Sequence, residues 1–407
     1  MPGGTRLESL TAVEQLPTAE QELLERARAL VPILAERSTA TNAARDVLPE
    51  TIADFHRIGL LRIIQPRRFG GLQLRFCLFS RIVEIITEGC ASAGWVYAVL
   101  GEHQWLMASF PVQAQIDVWG GNPLALASSS LAPRAVAART AGGWRLSGQY
   151  SFSSGSSHAH WAIIGAFLGE AGDPRTIAYL LVPLTDIDIV DDWHVLGLAG
   201  TGSRSLLVRD VFVPEHRCVL LSELMAGTPP GAVAHPDYPL LRAPRGLLVN
   251  YSLPPVAITL GRRALAVALA GLRGRVSRGM TQMAASEFVQ ITVAEAAAAI
   301  DAATLTLWNG RRTAQALVDS GEPIPADVAL RARRDMTYAQ HQVQWAVERL
   351  VEVCGARSVY DADALASIRR DVLTVLTHNV ASRQTAMAAW GKWALLSDAA
   401  PNAAGQT

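Results

Sequence analysis

The sequence predicts an α+β protein whose helical and β-rich regions are segregated along the chain: an N-terminal helical domain, a middle antiparallel β-domain and a C-terminal four-helix bundle. Three observations carry this. Apolar residues recur at helical spacing near the start, as in Leu23, Leu24, Ala27, Leu30, Val31 and Leu34. Short β-rich runs punctuated by Gly and Pro fill residues 124–221. Four long stretches rich in Ala and Leu follow Pro255, as an antiparallel bundle requires.

Taken in order, residues 1–17 are polar and loose, and helices are expected over 18–37, 49–60, 75–89 and 91–110. That places the N-terminal helical domain at 1–121. The β-domain, barrel-like or a sandwich, takes 122–221, with strands expected in LALASSS, GWRLSGQYSF, WAIIGAFLG, TIAYLLVPL, IDIVDDWHVLGL and SRSLLVRDVFVP. A Pro/Gly-rich connection covers 222–254, and the bundle covers 255–407 with helices at 257–278, 287–320, 324–355 and 362–397.

Composition excludes several classes. Hydrophobic residues are 50% and charged residues 18% of the 407, so most of the chain can bury a core and disorder is excluded. Lys+Arg and Asp+Glu are both 36, without the basic surplus of a nucleic-acid binder. The four cysteines, Cys77, Cys90, Cys218 and Cys354, lie far apart, which argues against a zinc site or a disulfide framework and fits a reducing cytosol. No metal site is expected. The N-terminus has no apolar signal core, and the apolar run 256–272 is interrupted by Arg262, Arg263 and Gly271. A soluble cytoplasmic protein is the expectation.

The most informative stretch is 142–162, GGWRLSGQYSFSSGSSHAHWA, with a second Gly-rich segment at 195–205, VLGLAGTGSRS. Trp144, Leu146, Tyr150 and Phe152 fall in period-two register, and Ser153-Ser154-Gly155 then offers hydroxyls and backbone N–H groups with little bulk. Such a turn suits the polar edge of a flat ligand; an ordinary hairpin accounts for it equally. His103 lies among Trp95, Tyr97 and Trp105, and reads either as a core histidine bonded to a carbonyl or as a catalytic one.

GWRLSGQYSFSSG followed by LGLAGTGSRSLLVRDVFVP resembles the middle domain of the acyl-CoA dehydrogenase superfamily, and more narrowly its flavin-dependent monooxygenase branch, the oxygenase components of two-component aromatic hydroxylases of the hydroxyphenylacetate hydroxylase kind. The resemblance runs from about residue 22 to residue 396. It implies an oxygenase that takes reduced FAD or FMN, FADH2 favoured, from a separate NAD(P)H-dependent flavin reductase. With O2 it forms a C4a-hydroperoxyflavin and hydroxylates a small aromatic or phenolic substrate, for instance a natural-product or polyketide intermediate. A homotetramer is implied as well. The alternatives on this scaffold are N- or S-oxygenation, of an amino-sugar amine or a thiophene-type sulfur, and, after these, acyl-CoA dehydrogenation.

The resemblance also assigns residues. His103 would bind or deprotonate the phenol, with Ser129 (or its neighbour Ser130) as a second substrate-contacting hydroxyl and Trp95 and Trp105 lining a pocket for a flat molecule. Ser153 and Ser154 match the turn that sets a hydroxyl against the flavin N5, Ser154 favoured, acting as a donor. Trp193 packs near the flavin ring, and Thr201, Gly202 and Ser203 reach phosphate or ribityl oxygens. Arg275 and Arg278 resemble the arginines that meet flavin phosphates from a neighbouring subunit. His378, on the helix expected to run through 362–397 and followed by Asn379, would sit over the ring near C4a as an acid/base or hydrogen-bond partner.

Two absences bear on the reaction. No Asp or Glu lies between Val372 and Leu396 or between Arg245 and Leu260, where a dehydrogenase of acyl thioesters would carry its base. No GxGxxG nicotinamide fingerprint occurs on a strand–helix turn, so reduced flavin has to come from elsewhere.

Overall fold

A computed structural model describes residues 17–276 and 282–397. The first helices are α1 (Thr18–Ala44), α2 (Pro49–Arg57), α3 (Phe76–Gly89), α4 (Ala91–Ala108) and α5 (Val112–Trp119). Of these α4 is central: every residue except Val99 is buried, Glu102, His103 and Gln104 included. A helix apolar on all sides belongs inside a protein or a membrane, and here it is enclosed by protein. A Cβ at Gly101 would lie 2.4 Å from the Phe79 ring, so only glycine lets α3 and α4 approach so closely there.

Eight strands come next: β1 (Ala127–Ser130), β2 (Ala138–Thr140), β3 (Gly143–Ser153), β4 (Trp161–Phe167), β5 (Ile177–Pro183), β6 (Ile187–Val190), β7 (Arg204–Pro214) and β8 (Cys218–Leu220). They form two four-stranded sheets, ordered β1-β4-β5-β8 and β2-β3-β7-β6. Leu146, Tyr150, Ile164, Leu180, Val182, Leu206 and Val208 are buried in a core of their own. The expected antiparallel pairing holds everywhere but at β1–β4, which is parallel, Ala127 opposite Trp161 through Ser130 opposite Ile164. Strands β2 and β8, three residues each, are too short to show a period in the sequence.

The period-two register expected through Phe152 also fails at its end. Strand β3 shifts register against β7 between Leu146 and Gly148 and again between Tyr150 and Ser153. Phe152 takes a left-handed conformation, φ 66°, and its ring turns outward. A bulge of this kind re-aims the residues after it, here Ser153 and Ser154.

Residues 221–252 contain short helices α6 (Leu221–Ala226), α7 (Pro230–Ala234) and α8 (Arg245–Ser252). Then come α9 (Pro254–Leu272), α10 (Glu287–Ser320), α11 (Ala326–Cys354), α12 (Ala364–Leu376) and α13 (Arg383–Leu396). Helix α9 packs on α3, α10, α11 and α12, joining the bundle to the N-terminal helices in one hydrophobic core. The stretches Arg245–Leu272 and Glu287–Ser320 reach the length and hydropathy that crossing a membrane requires, and both carry buried core positions such as Leu260 and Ile300. The single helix expected over 362–397 is instead two. Thr377 ends the first, His378 leaves the helical region at φ −70°, ψ 145°, and a short turn Asn379–Ala381 leads into α13.

Candidate active site

Two histidines face the problem of being neutral and oriented in different ways. On α4, His103 Nδ1 lies 2.6 Å from the Ala127 carbonyl oxygen on β1. A carbonyl only accepts, so Nδ1 carries the hydrogen and Nε2 keeps its lone pair. Burial pushes the His103 pKa down to about 4 against the opposing pull of that carbonyl, and the Arg245 charge lowers it further. His378 is not on a helix; it caps the break after α12, where its Nδ1 accepts from Val380 N at 3.3 Å. In the neutral ring Nε2 then holds the hydrogen. Burial, with the Arg245 charge second, sets this pKa also at about 4. His378 keeps an exposed face, so it stands at the surface rather than in the core.

Arg245 opens α8 directly after Pro244 and is the charged group felt by both rings and by Glu102. Its Nε is buried without a hydrogen-bond partner among the described residues, and its guanidinium stands 5.6 Å from the Tyr179 ring centroid. Glu102, beside His103, is raised in pKa by burial, with Arg245 and a hydrogen bond from Ser252 Oγ opposing.

Around His378 a set of side chains from distant parts of the chain converges. The Trp95 ring on α4 meets His378 edge to face, centroids 5.4 Å apart. Trp95 Nε1 donates to Ser154 Oγ at 3.0 Å; Ser154 Oγ lies 2.7 Å from Ser203 Oγ, and Ser203 Oγ 2.7 Å from Thr201 Oγ1. Thr201 Oγ1 donates to the Leu198 carbonyl at 2.9 Å, as does Trp193 Nε1 at 3.3 Å. Leu198 N in turn donates to Asp371 Oδ1 on α12 at 2.7 Å. Burial pushes the Asp371 carboxyl up to about 6 despite that N–H. A Cβ at Gly197 would sit 2.2 Å from the Arg370 carbonyl oxygen, so this loop lies flush against α12. Asn42 Oδ1 holds the loop from the other side, accepting from Gly200 N at 3.2 Å and from Ser92 Oγ at 3.2 Å.

The structure thus brings Trp95, Ser154, Trp193, Thr201, Ser203 and His378 into one network, with His103 two turns along α4 from Trp95. Ser129 lies two residues after Ala127 on β1, so the two side chains share a face of the strand. Ser129 is half-buried, while Ser130 is occupied, donating to the Ser151 carbonyl at 2.7 Å. Ser153 is buried with Oγ unpartnered among the described residues, and Gly202 is left-handed at φ 53°. The hydroxyls of Thr201 and Ser203, read from the sequence as reaching flavin oxygens, are spent on each other and on Leu198 and Ser154. Trp105 stands apart: it has no accessible surface, and its indole donates to Leu240 O at 3.0 Å, behind the site wall. Arg275 is tied to the Cys354 carbonyl at the end of α11, and Arg278 lies outside the described residues.

Sequence reading passes over Arg245 and Asp371. Both border windows in which only a carboxylate base is sought: Arg245 is not an acid, and Asp371 precedes the second window by one residue. The signal present in the sequence is Pro244 before Arg245, a helix start that fixes where the side chain emerges.

Residues 253–383 match the family described as acyl-CoA dehydrogenase, C-terminal domain. The chain is 33% identical over 370 residues to the oxygenase subunit HsaA of a flavin-dependent monooxygenase from Rhodococcus jostii, covering 90% of this chain and 97% of that one. It is 34% identical over 366 residues to the oxygenase component of an FADH(2)-dependent resorcinol hydroxylase from a Rhizobium species, covering 88% and 90%. Among solved structures, the 3-HSA hydroxylase from Rhodococcus sp. RHA1 superposes with a TM-score of 0.85 at 32% identity, covering 91% of this chain and 96% of that one.

Proposed function

This chain belongs to the acyl-CoA dehydrogenase superfamily, in its branch of flavin-dependent monooxygenase oxygenase components, and from that premise we propose that it hydroxylates a phenolic ring beside His103, with FADH2 preferred to reduced FMN. The observation that carries the reading is the opposite proton placement on the two neutral histidines. His103 presents an acceptor at Nε2 and His378 a donor at Nε2.

The residues present fit a reduced flavin. The Ser154 hydroxyl, the His378 Nε2–H and the Arg245 guanidinium, whose Nε has no hydrogen-bond partner among the described residues, match a flat heterocycle with a polar edge, and His378 keeps surface on which such a ring can rest. Bound, the flavin would supply the two electrons that activate dioxygen. The rest falls to the protein. His103 Nε2 takes the phenol proton, raising electron density at the ortho carbon, while Ser129 holds the phenol oxygen in place. His378 Nε2–H supplies a hydrogen bond where negative charge develops. Trp95 and Trp193, both buried, keep water from the Ser154 hydroxyl.

The names of the relatives, oxygenase subunit and oxygenase component, support a separate reductase as partner. We place the protein in the cytoplasm, where cysteines outside any disulfide suit a reducing medium, and expect a homotetramer with Arg275 and Arg278 at a subunit boundary.

Stopped-flow mixing of protein and photoreduced FAD with oxygenated buffer tests the reading. A near-ultraviolet transient outlasting that of free flavin, followed by hydroxylation of an added phenol, is expected. Reoxidation at the free-flavin rate, with or without a phenol, would sink it.

A further inference from the structure

The hydrogen bonds from Trp95 to Leu198 form a chain whose two ends are fixed. An indole N–H can only donate and a carbonyl can only accept. Four bonds join Trp95 Nε1, Ser154 Oγ, Ser203 Oγ, Thr201 Oγ1 and Leu198 O, at 3.0, 2.7, 2.7 and 2.9 Å. Each of the three hydroxyls owns one proton, and the indole supplies the fourth. Only one assignment fills every bond: Trp95 donates to Ser154, Ser154 to Ser203, Ser203 to Thr201, and Thr201 to the carbonyl. Reversing any hydroxyl leaves one gap with two protons and another with none. All four side chains are buried, so an unfilled bond would be costly. The backbone at Leu198 cannot turn away, because Asp371 accepts from its N–H while its oxygen accepts from Trp193 and Thr201.

We propose that this one-way chain makes Ser154 an acceptor only toward the flavin, and that Ser203 and Thr201 are positioning residues through which the site distinguishes reduced from oxidised flavin. The inference rests on the flavin-dependent reading above, with Ser154 at the N5 edge. Reduced flavin carries a hydrogen on N5, and the remaining lone pair of Ser154 accepts it. Oxidised flavin presents a lone pair at N5, and Ser154 has no proton left to offer. The proton that the sequence reading has Ser154 offer the flavin is instead spent on Ser203. Ser154 keeps the N5 hydrogen in place instead of supplying one.

The test is equilibrium binding of oxidised FAD and of anaerobically photoreduced FAD to the full-length protein and three variants. Wild type binds the reduced form more tightly. Ser203→Ala releases the Ser154 proton, and Thr201→Val removes the acceptor that orients Ser203; each narrows the ratio of the two dissociation constants by about tenfold, chiefly by improving oxidised FAD. Trp95→Phe removes a donor without freeing that proton and leaves the ratio within about twofold of wild type. The ratio compares two ligands in one folded protein, so a general loss of folding cancels from it. A readout without flavin is the Trp95 indole proton resonance, which moves upfield in Ser203→Ala because Ser154 no longer donates onward and becomes a weaker acceptor. If Ser203→Ala binds both forms at the wild-type ratio, the chain does not set the Ser154 proton and the inference falls while the flavin reading stands. If wild type binds neither form, the flavin reading falls and takes this inference with it.

Discussion

The segment that carries His103 and the segment that carries His378 solve one problem by opposite means. His103 sits mid-helix in a segment buried all round, and a strand carbonyl takes its Nδ1 hydrogen. His378 sits where a helix stops, and a backbone N–H takes its Nδ1 lone pair. Both rings end with a pKa near 4, yet one is left with an acceptor at Nε2 and the other with a donor. The lesson is that backbone context, more than pKa, divides acceptor from donor in this site.

The largest expected effect comes from breaking that division at its base. His103→Ala should lower the rate of phenol hydroxylation by about 10²–10⁴-fold while the oxygen-dependent transient persists. His378→Ala should shorten the transient itself and divert about ten- to a hundredfold more reduced flavin to hydrogen peroxide, measured as peroxide per product. Equal phenotypes in the two variants would erase the distinction. Arg245→Met sharpens it through pH. Removing a cation that lowers both histidine pKa values lets them rise, so the acid limb of kcat/KM should move to higher pH; an unmoved limb would mean that neither ring governs it.

Stability gives smaller effects with opposite signs. A histidine lowered from 6.5 to about 4 contributes stability that is complete above 6.5 and lost as pH falls through about 4. Asp371, raised from 3.8 to about 6, behaves in reverse, its contribution present below 3.8 and lost as pH rises through 6. Asp371→Asn keeps an acceptor oxygen for Leu198 N without the buried charge. Its melting temperature should therefore gain on wild type between pH 4 and 7, by a few degrees at most, and then run parallel to it. The smallest effect is expected at Trp105→Phe, which loses a buried hydrogen bond to Leu240 worth about 1 kcal/mol and should leave kcat/KM within about twofold.

Legibility in the sequence tracks its periodicities. Helix α10 is expected over 287–320 and runs Glu287–Ser320, because a long amphipathic pattern with Ser286 before it and Gly321 after it states both ends. The break at His378 is missed, since Thr377-His378-Asn379 carries neither Gly nor Pro. It is made by tertiary contacts, Thr337 Oγ1 and His341 Nε2 reaching the Val380 and Ala381 carbonyls. The serines of the SFSSG turn are visible as candidates, but the order of their protons is not. That order depends on Trp95 and Leu198, remote from Ser154 in sequence, and no local pattern relates them. Arg245 is hidden for a different reason: its importance is electrostatic reach to two rings that only the fold brings near it.

The Leu198 loop also has a consequence in time. It is clasped by Asn42 from the first helix, by Ser154 through Ser203 and Thr201 from the β-layer, and by Asp371 from α12, near the end of the described chain. Such long sequence separations are closed late in folding, after the local helices have formed. A chain emerging from the ribosome therefore carries the serine turn long before it carries the carboxylate that pins the loop. The hydroxyl chain from Ser154 to Leu198 is thus pinned at both ends only once synthesis has passed residue 371.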